Sequence, residues 1–412
     1  MSAKPRKSTV TPLRHVSLAE RRARLGRRHR LAPNTSADAV ESIVHSLVAL
    51  HATDPATVYL SAAARLREPN REHVEHALFV ERSVIRHHAM RRTVWVMEPS
   101  TARAAHAACT VALAAKEWKT MQKMLADNGV ADPEAWLATA KVRAQEVIAG
   151  FDVFTARQLG AAAPDLALPL RLSVGKTYEG TQGAHTRLVQ NLGFEGELVR
   201  TRPVGTWVSG EYAWSATKAW LPGGFVDHQI SAREGSATLA DRYVRAFGPV
   251  TTQDLQWWAG WTGGQTAQAL ADISAVAVTI DGELAAVPAW LHPEDTDIEP
   301  DVDPWATLLP SLDPTVMGWK DRTWYVGIHG AFGKTLFDRN GNAGNSVWAN
   351  GKVIGTYAHQ KDRSVVVHFF DAPTKKVRGM VESSVERYLS TVGDTVVRPR
   401  YPAPVQATLT AN

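Results

Sequence analysis

Two pairs of histidines lie close together along the sequence of 412 residues, and closely spaced imidazoles are common metal ligands. His73 and His76 are three residues apart, and His87 and His88 are adjacent. The first pair is more typical of a solvated helix face, and the second is more typical of a hairpin surface. The sequence therefore predicts no metal site.

Common motifs of hydrolases and nucleotide-binding proteins are also absent. The sequence contains neither His-Glu-x-x-His nor Gly-x-Ser-x-Gly. Gly333-Lys334-Thr335 is similar to the end of a phosphate-binding loop, but Ile328 occupies the position of the loop's first glycine. Cys109 is the only cysteine, which excludes an internal disulfide and is typical of a reducing cytoplasm. We predict no cofactor.

Positive charge is concentrated at the N-terminus. Residues 1–30 contain ten lysines and arginines and one acidic residue, whereas residues 281–305 contain eight acidic residues and no lysine or arginine. A basic arm on a weakly charged body predicts a polyanionic partner, most simply nucleic acid, with a solubilising tail as the alternative. Membrane contact is not expected, because no stretch approaches the roughly 20 consecutive apolar residues of a membrane helix.

Signals for helices followed by a hairpin recur three times along the chain. In the first block, Ser17–Glu20 begin a helix, a second helix ends near His51, and Asp54-Pro55 begin a third. Val84–Met97 is rich in β-branched residues and tryptophan, which predicts a two-stranded hairpin. Two similar blocks end in the strand pairs Leu198–Arg202 with Tyr212–Ser215 and Val276–Ile280 with Leu284–Val287. A turn at Asp281-Gly282 joins the last pair. Helices followed by a hairpin are typical of winged-helix units.

The C-terminal part is predicted to be rich in strands. It follows the acidic stretch His292–Pro304, which we interpret as a linker or rim. Its predicted elements are strands at Trp324–Val326, Ser346–Trp348, Lys352–Ile354 and Ser364–Phe370, and a helix over Lys376–Thr391. The fold class is thus α+β. The predicted divisions are 1–99 (basic arm and first winged helix), 100–149 (helical connector), 150–225 and 226–291 (second and third winged helices) and 292–412 (acidic linker and β-rich domain).

Several phrases of the sequence resemble one protein family. Residues 50–60, Leu-His-Ala-Thr-Asp-Pro-Ala-Thr-Val-Tyr-Leu, are similar to the motif segment of the AlkZ-like winged-helix DNA glycosylases, which unhook alkylated purines and interstrand crosslinks. Further similar phrases are Met90–Thr93, Arg200–Trp207, Arg245–Pro249, Trp257-Trp258, Leu309–Trp319 and Phe337–Gly344. The resemblance extends from about residue 13 to 402. It implies three tandem winged helices and a C-terminal β-rich, barrel-like domain around a concave face of DNA size.

The catalytic signature of this family departs from its usual form in the present sequence. The family has Gln-x-Gln or Gln-x-Asp before the Asp-Pro helix start, where this chain has His51 and Thr53. A monofunctional glycosylase orients a water at the anomeric carbon and stabilises an oxocarbenium-like sugar. The resemblance implies that a neutral His51 holds or deprotonates that water, with Thr53 as a second acceptor and Asp54 as a negative charge beside the developing cation. An imidazole of ordinary pKa would then make the rate fall below about pH 6.5.

The same three residues also have structural interpretations. His51 would end a helix, where an imidazolium suits the helix dipole. Asp54 would cap the helix that follows it, and Thr53 would be a linker residue. The residues alone leave these alternatives open.

Candidate DNA contacts lie at two hairpins and one loop. Arg91 and Arg92 are predicted at a hairpin tip, where phosphate contact competes with ordinary surface charge. Around the second hairpin, arginines would hold phosphates and aromatic rings would pack on a sugar or base, with core packing of the tryptophans as the alternative. These residues are Arg200, Arg202, Trp207, Tyr212 and Trp214. Asp338, Arg339 and Asn340 form a turn-rich loop that either faces DNA or a flipped base or has no further role.

The sequence as a whole predicts a cytoplasmic, nucleoid-associated monomer that binds double-stranded DNA containing a damaged base. Its predicted reaction is hydrolysis of the N-glycosidic bond of purines alkylated at N3 or N7. One alternative is a catalytically silent winged-helix protein that binds DNA as a regulator or damage sensor. Another is a small-molecule-binding protein that uses a central cleft.

Overall fold

The computed structural model describes residues 13–176, 179–225, 230–327 and 335–410, so that Gly333 and Lys334 lie outside the described residues. Helices α1 to α17 span Leu18–Arg28, Val40–Ser46, Pro55–Ala63, Arg71–Glu75, Pro99–Ala105, Val111–Asp127, Pro133–Ile148, Ala156–Ala162, Ala184–Glu195, Thr217–Trp220, Ala232–Phe247, Thr252–Ala259, Gly263–Asp272, Pro314–Met317, Thr323–Val326, Lys375–Val392 and Pro404–Thr410. Strands β1 to β15 span His15–Val16, Leu50–His51, Ile85–His88, Val94–Met97, Phe154–Thr155, Pro169–Leu172, Gly180–Gly183, Leu198–Pro203, Tyr212–Ala216, Val276–Ile280, Val287–Leu291, Ala306–Leu309, Ser346–Ala349, Lys352–His359 and Val365–Phe369. The fold mixes helices and strands throughout.

One order of elements occurs three times. In the first block, α2, β2, α3, α4, β3 and β4 follow one another, and the sheet order is β2–β4–β3. The second block has α7, β5, α8, α9, β8 and β9 in the same order, with the sheet order β5–β9–β8, and the hairpin β6–β7 is inserted between α8 and α9. The third block contains α11, α12, α13, β10 and β11, and a single bridge between Val250 and Trp290 replaces the first strand. The predicted recurrence of helices followed by a hairpin is confirmed.

Local signals explain the start of helix α3, which follows the family motif. Asp54 is its N-cap and Pro55 occupies its first turn, where a missing N–H costs nothing. The helix is buried along its whole length. At its C-terminal end, Arg65 donates two hydrogen bonds to Asp313 at 2.8 and 2.9 Å, and both side chains are fully buried. The motif segment is therefore held firmly against the C-terminal part of the chain.

Three predicted elements differ in the structure. The second helix ends at Ser46, and His51 lies in strand β2 rather than at a helix end. The strand after Asp281-Gly282 begins at Val287 instead of Leu284, because the connection is a six-residue loop and not a tight turn. The segment Thr323–Val326 is a short helix and not a strand. In each case the local residues were compatible with both conformations, and tertiary packing selected one.

The basic helix α1 is bound to the acidic stretch at residues 292–304. Arg24 is only 1% exposed and donates to Asp295 at 3.0 Å. Arg28 also contacts Asp295, and it lies 3.8 Å from Glu299. The expectation of a basic arm free to contact DNA is therefore wrong for this helix, while residues 1–12 lie outside the described residues. The acidic stretch is a binding partner of α1 and not a linker.

The C-terminal strands form an open antiparallel sheet in the order β12–β13–β14–β15. Within the described residues this sheet does not close on itself, so the barrel-like shape is not confirmed. Val347, Tyr357 and Tyr388 of the C-terminal part form one apolar cluster with Ala56 and Leu60 of α3. Among the described helices, none has the length and apolar character needed to cross a bilayer.

Candidate active site and nucleic-acid interface

His51 is held as a neutral imidazole in the interior. It is 2% exposed, and its ring lies 4.7 Å from that of Trp95 on the neighbouring strand β4. Its Nδ1 accepts a long hydrogen bond of 3.4 Å from the backbone N–H of Thr53. Burial, and to a lesser degree the charge of Arg91, lowers the pKa of His51 to about 3. At neutral pH the ring is therefore uncharged, and since its Nδ1 accepts from Thr53, its Nε2 carries the proton and is a hydrogen-bond donor.

Thr53 and Asp54 bind backbone N–H groups. Thr53 Oγ1 accepts from the N–H of Val94 at 3.3 Å. Asp54 Oδ1 accepts from the N–H of Ala56 at 3.2 Å, which confirms its role as an N-cap. The other carboxylate oxygen, Oδ2, accepts from the N–H of Arg400 at 2.8 Å. Burial raises the pKa of Asp54, although both of these hydrogen bonds oppose that shift.

Arg400 is a site residue that the sequence analysis missed. It reaches the motif segment from the C-terminal end of the chain, where its Nη1 lies 3.5 Å from the carbonyl oxygen of Thr53. Its guanidinium packs on Gly210, where any larger residue would overlap it. The only signal in the sequence is a basic, proline-containing stretch at Arg398–Pro402. Nothing local in that stretch indicates that it reaches a motif almost 350 residues earlier.

Arg91 at the first hairpin tip lies over an aromatic ring. Its guanidinium carbon is 3.9 Å from the ring centroid of Trp257, and that of Arg322 is 5.3 Å from the same centroid. Within the described residues, the buried Nε of Arg91 has no hydrogen-bond partner. Burial and the charge of Arg322 lower the pKa of Arg91 to about 10. From the sequence, Arg91 is predicted to contact DNA, whereas Trp257 is only part of a family-like phrase and Arg322 carries no signal.

The predicted loop at Asp338 joins this group. A carboxylate oxygen of Asp338 accepts from the N–H of Asn340 at 2.7 Å, which fixes the turn. Arg322 donates to the carbonyl oxygen of Gly341 at 2.8 Å and so ties the loop to Trp257. Arg339 and Asn340 are exposed. We call Arg91, Trp257, Arg322 and residues 338–342 the Arg91 cluster.

Arg200 and Tyr212 form a second group with a residue that the sequence analysis did not name. The guanidinium carbon of Arg200 is 5.4 Å from the ring centroid of Tyr212, and that of Arg86 is 5.1 Å from it. Burial lowers the pKa of Arg200 to about 10 and raises that of Tyr212. Arg400 and Asp54 also act electrostatically on Tyr212. We call Arg86, Arg200, Tyr212 and Arg400 the Arg200 cluster.

Three predicted contact residues lie in structural interactions instead. Arg92 binds Glu117 through two hydrogen bonds, one of them 2.8 Å long, and this raises its pKa. Arg202 forms an ion pair with Glu75. Trp207 packs between two apolar clusters, as the core alternative predicted. None of the three is drawn into either cluster.

The histidine pairs have different environments. His73 and His76 are exposed on and just after α4, as predicted for a solvated helix face. His87 and His88 are buried, so the prediction of a hairpin surface is wrong for them. Burial keeps the pKa of both well below its usual value, and His87 shares a 3.1 Å hydrogen bond with His106. No group of three potential metal ligands occurs in the described part of the chain.

Comparison with known proteins places this arrangement in a family. The profile of the DNA glycosylase AlkZ-like family matches residues 44–391. The solved structure of DNA glycosylase AlkZ from Streptomyces sahachiroi is similar over 94% of this chain and 99% of that chain, with a TM-score of 0.67 and 18% sequence identity, which shows a shared fold. Comparison with curated proteins gives no match. Since the family profile covers most of the sequence, this chain belongs to the AlkZ-like DNA glycosylase family.

Proposed function

We propose that the protein is a monofunctional DNA glycosylase that hydrolyses the N-glycosidic bond of purines alkylated at N3 or N7. The observation that carries this proposal is the state of His51. The chain belongs to this family, and His51 occupies the first position of the family signature, just before the helix start at Asp54-Pro55. Its imidazole is buried and neutral. It also lies beside the unpaired arginine Arg91, which is suited to bind a DNA strand.

In this mechanism His51 positions the attacking water. The water oxygen forms a bond to C1′ of the sugar, the C1′–N bond breaks, and its electron pair leaves with the purine. An N3- or N7-alkylpurine is cationic, so it departs as a neutral base without prior protonation. Because the pKa of His51 is about 3, the ring stays neutral, and because its Nδ1 accepts from Thr53, its Nε2 carries the proton. Nε2 therefore holds the water by donating a hydrogen bond to its oxygen, and the water's proton passes to solvent. Asp54 places negative charge near the oxocarbenium-like sugar.

A second candidate function has its own support. The oxygens of Thr53 and Asp54 already accept backbone hydrogen bonds, which is what a purely structural segment requires. If the oxygens of both residues serve only these backbone hydrogen bonds, neither residue takes part in catalysis. The chain would then bind DNA as a regulator or damage sensor and leave the glycosidic bond intact. The two functions differ in a single measurable property, the release of a base.

The repeated order of elements supports a further part of the proposal. Helix, strand, two helices and two strands, with the first strand paired to the last, is the order of a winged helix. It occurs in the first block, in the second block with the hairpin β6–β7 between its two helices, and in the third block with a single bridge in place of the first strand. We propose three tandem winged-helix units, the second starting at Pro133 rather than at residue 150. The Arg91 and Arg200 clusters would then face one duplex, bound by a monomer at the nucleoid.

Base release from a duplex containing N7-methylguanine tests the catalytic proposal. His51→Ala should lower the single-turnover rate on the order of 100-fold, the lower range for acid–base and water-positioning groups, and leave DNA affinity within about twofold. His51→Gln should recover part of the rate, because it restores the first residue of the family signature. The melting temperature of each variant checks that it is folded.

Two results would contradict the proposal. A folded His51→Ala protein with an unchanged rate would assign His51 a structural role. An unmodified protein that binds the duplex but releases no alkylpurine would favour the silent DNA-binding function.

A further inference from the structure

The interior of the Arg200 cluster contains hydrogen-bond donors without acceptors. Arg86 is 2% exposed; its Nη1 donates to the carbonyl oxygen of Thr201 at 3.0 Å, and the guanidinium also interacts with the hydroxyl of Tyr59. Within the described residues, its Nε and Nη2, the Nε of Arg200 and the hydroxyl of Tyr212 are buried and have no hydrogen-bond partner. Buried polar groups in native proteins are nearly always paired, and unpaired buried cations are costly. This grouping therefore indicates an acceptor that the described part of the free chain does not supply.

The nearby carboxylates are already occupied. Glu75 is paired with Arg202, and it also accepts from the hydroxyl of Tyr59. Asp54 accepts backbone N–H groups through both of its oxygens. In the described part of the chain, neither Arg86 nor Arg200 lies within ion-pair distance of an acid. Among the described residues no acid supplies the missing acceptor, and an anion from outside the chain would satisfy these donors.

The cluster has an open side. Arg400 is exposed, and Arg200 is partly exposed, whereas Arg86 and Tyr212 are buried behind them. The guanidinium carbons of Arg86 and Arg200 lie 5.1 and 5.4 Å from the ring centroid of Tyr212, and the charge of Arg400 also acts on its hydroxyl. Planar guanidinium groups around a phenol hydroxyl match the oxygens of a phosphate group.

We propose that Arg86, Arg200, Arg400 and Tyr212 bind one phosphate of the DNA backbone next to the nucleotide presented to His51. The identity of the anion as DNA rests on the proposed function, while the anion site itself rests on the unpaired donors. The Arg91 cluster acts electrostatically on His51, and the Arg200 cluster meets Asp54. A strand held by both clusters would pass along the motif segment between them.

Neutral methylphosphonate linkages locate the contact. Duplexes carrying an abasic-site analogue, each with one methylphosphonate at a different position, are titrated with the unmodified protein and with Arg200→Gln. For the unmodified protein, one position near the lesion should weaken binding on the order of 10-fold. Arg200→Gln should weaken binding to the unmodified duplex by a similar factor, reduce the salt slope by about 0.9, and be insensitive to the methylphosphonate at that same position.

Two further variants separate binding from folding. Tyr212→Phe should weaken DNA binding a few-fold at an unchanged melting temperature, because its hydroxyl has no hydrogen-bond partner among the described residues. Arg233→Gln is the matched control. It removes the same charge from an exposed arginine that is paired with Asp272, so its affinity should equal that of the unmodified protein.

The proposal is overturned if Arg200→Gln stays as sensitive as the unmodified protein to every methylphosphonate. A second outcome also overturns the proposal. Inorganic phosphate would raise the melting temperature of the unmodified protein but not that of Arg200→Gln, while every methylphosphonate would change the DNA affinity of both proteins equally. The site would then bind a free anion and not a DNA phosphate. None of these measurements requires base release, so a silent protein with this contact would refute only the catalytic proposal.

Discussion

Arginines occur at high density in helix α1, whereas around the motif segment they are scattered through the sequence, and the two groups differ in what surrounds them. Arg24 of α1 is bound to Asp295. Arg21 of α1 has donor atoms with no partner in the described part of the chain, but it is only 4% exposed. Arg91 and Arg200 also have such unpaired donor atoms, and they are partly exposed. Charge density along a sequence therefore does not locate an anion-binding surface. Cations that are unpaired and still accessible after folding are the better candidates.

The largest effect expected from this difference is on stability. Arg24→Met should reduce the free energy of unfolding by about 1.5–3 kcal/mol, since it removes the hydrogen bonds of a buried guanidinium to Glu20 and Asp295. Glu20 keeps its ion pair with Arg14, and Asp295 keeps its ion pair with Arg28. DNA affinity should stay within about twofold, because this guanidinium is only 1% exposed. Denaturant titration and duplex binding measure the two quantities. A large loss of affinity in a folded Arg24→Met protein would show that α1 contacts DNA after all.

A smaller effect, on DNA affinity and not on stability, is expected from Arg91 at the hairpin tip. Arg91→Gln should weaken duplex binding on the order of 10-fold at low salt and flatten the salt slope by about 0.9, because it removes one phosphate contact. Its stability should be nearly unchanged, since no acid loses a partner. Arg27→Gln is the control, because Arg27 is paired with Glu299 and its removal leaves the binding surface intact. Equal losses of affinity for both variants would remove the distinction between paired and unpaired arginines.

The smallest effect is expected from pH on the reaction rate. Because burial lowers the pKa of His51 to about 3, the ring stays neutral between pH 7.5 and 5, and the single-turnover rate should change by less than about twofold. A rate that halves near pH 6.5 would show that His51 titrates like an exposed imidazole.

Acid should instead act on folding. The pKa of His51 and of His29 is about 3 in the folded chain and about 6.5 in the unfolded chain, so unfolding takes up protons between these values. Stability is therefore complete above pH 6.5 and is lost as the pH falls towards 3. Melting temperatures at pH 7.5, 6 and 5 should decrease in that order while the rate of the folded protein stays constant.

Local signals in the sequence predicted the elements that frame the site. Asp54-Pro55 caps helix α3, and the hairpin of residues 85–97 places Arg91 at its tip, because capping and strand alternation depend on neighbouring residues. The family also followed from the sequence, since the motif phrases extend over the range that the family profile covers. The environment of His51 did not follow. A residue expected at a helix end is buried in a strand against Trp95.

The sequence by itself determined the helix starts, the hairpins, the recurring blocks and the family. Only the tertiary structure decided which charges remain available. Arg28 meets Asp295 across more than 260 residues, and Arg400 reaches Asp54 across more than 340. Arg86, which no motif indicates, is brought to Tyr212 by the packing of β3 against β8. The physical reason is the sequence separation over which each interaction acts. Helix capping and the alternation of apolar and polar residues in strands depend on residues a few positions apart. Ion pairing and burial depend on contacts that exist only once the chain is folded.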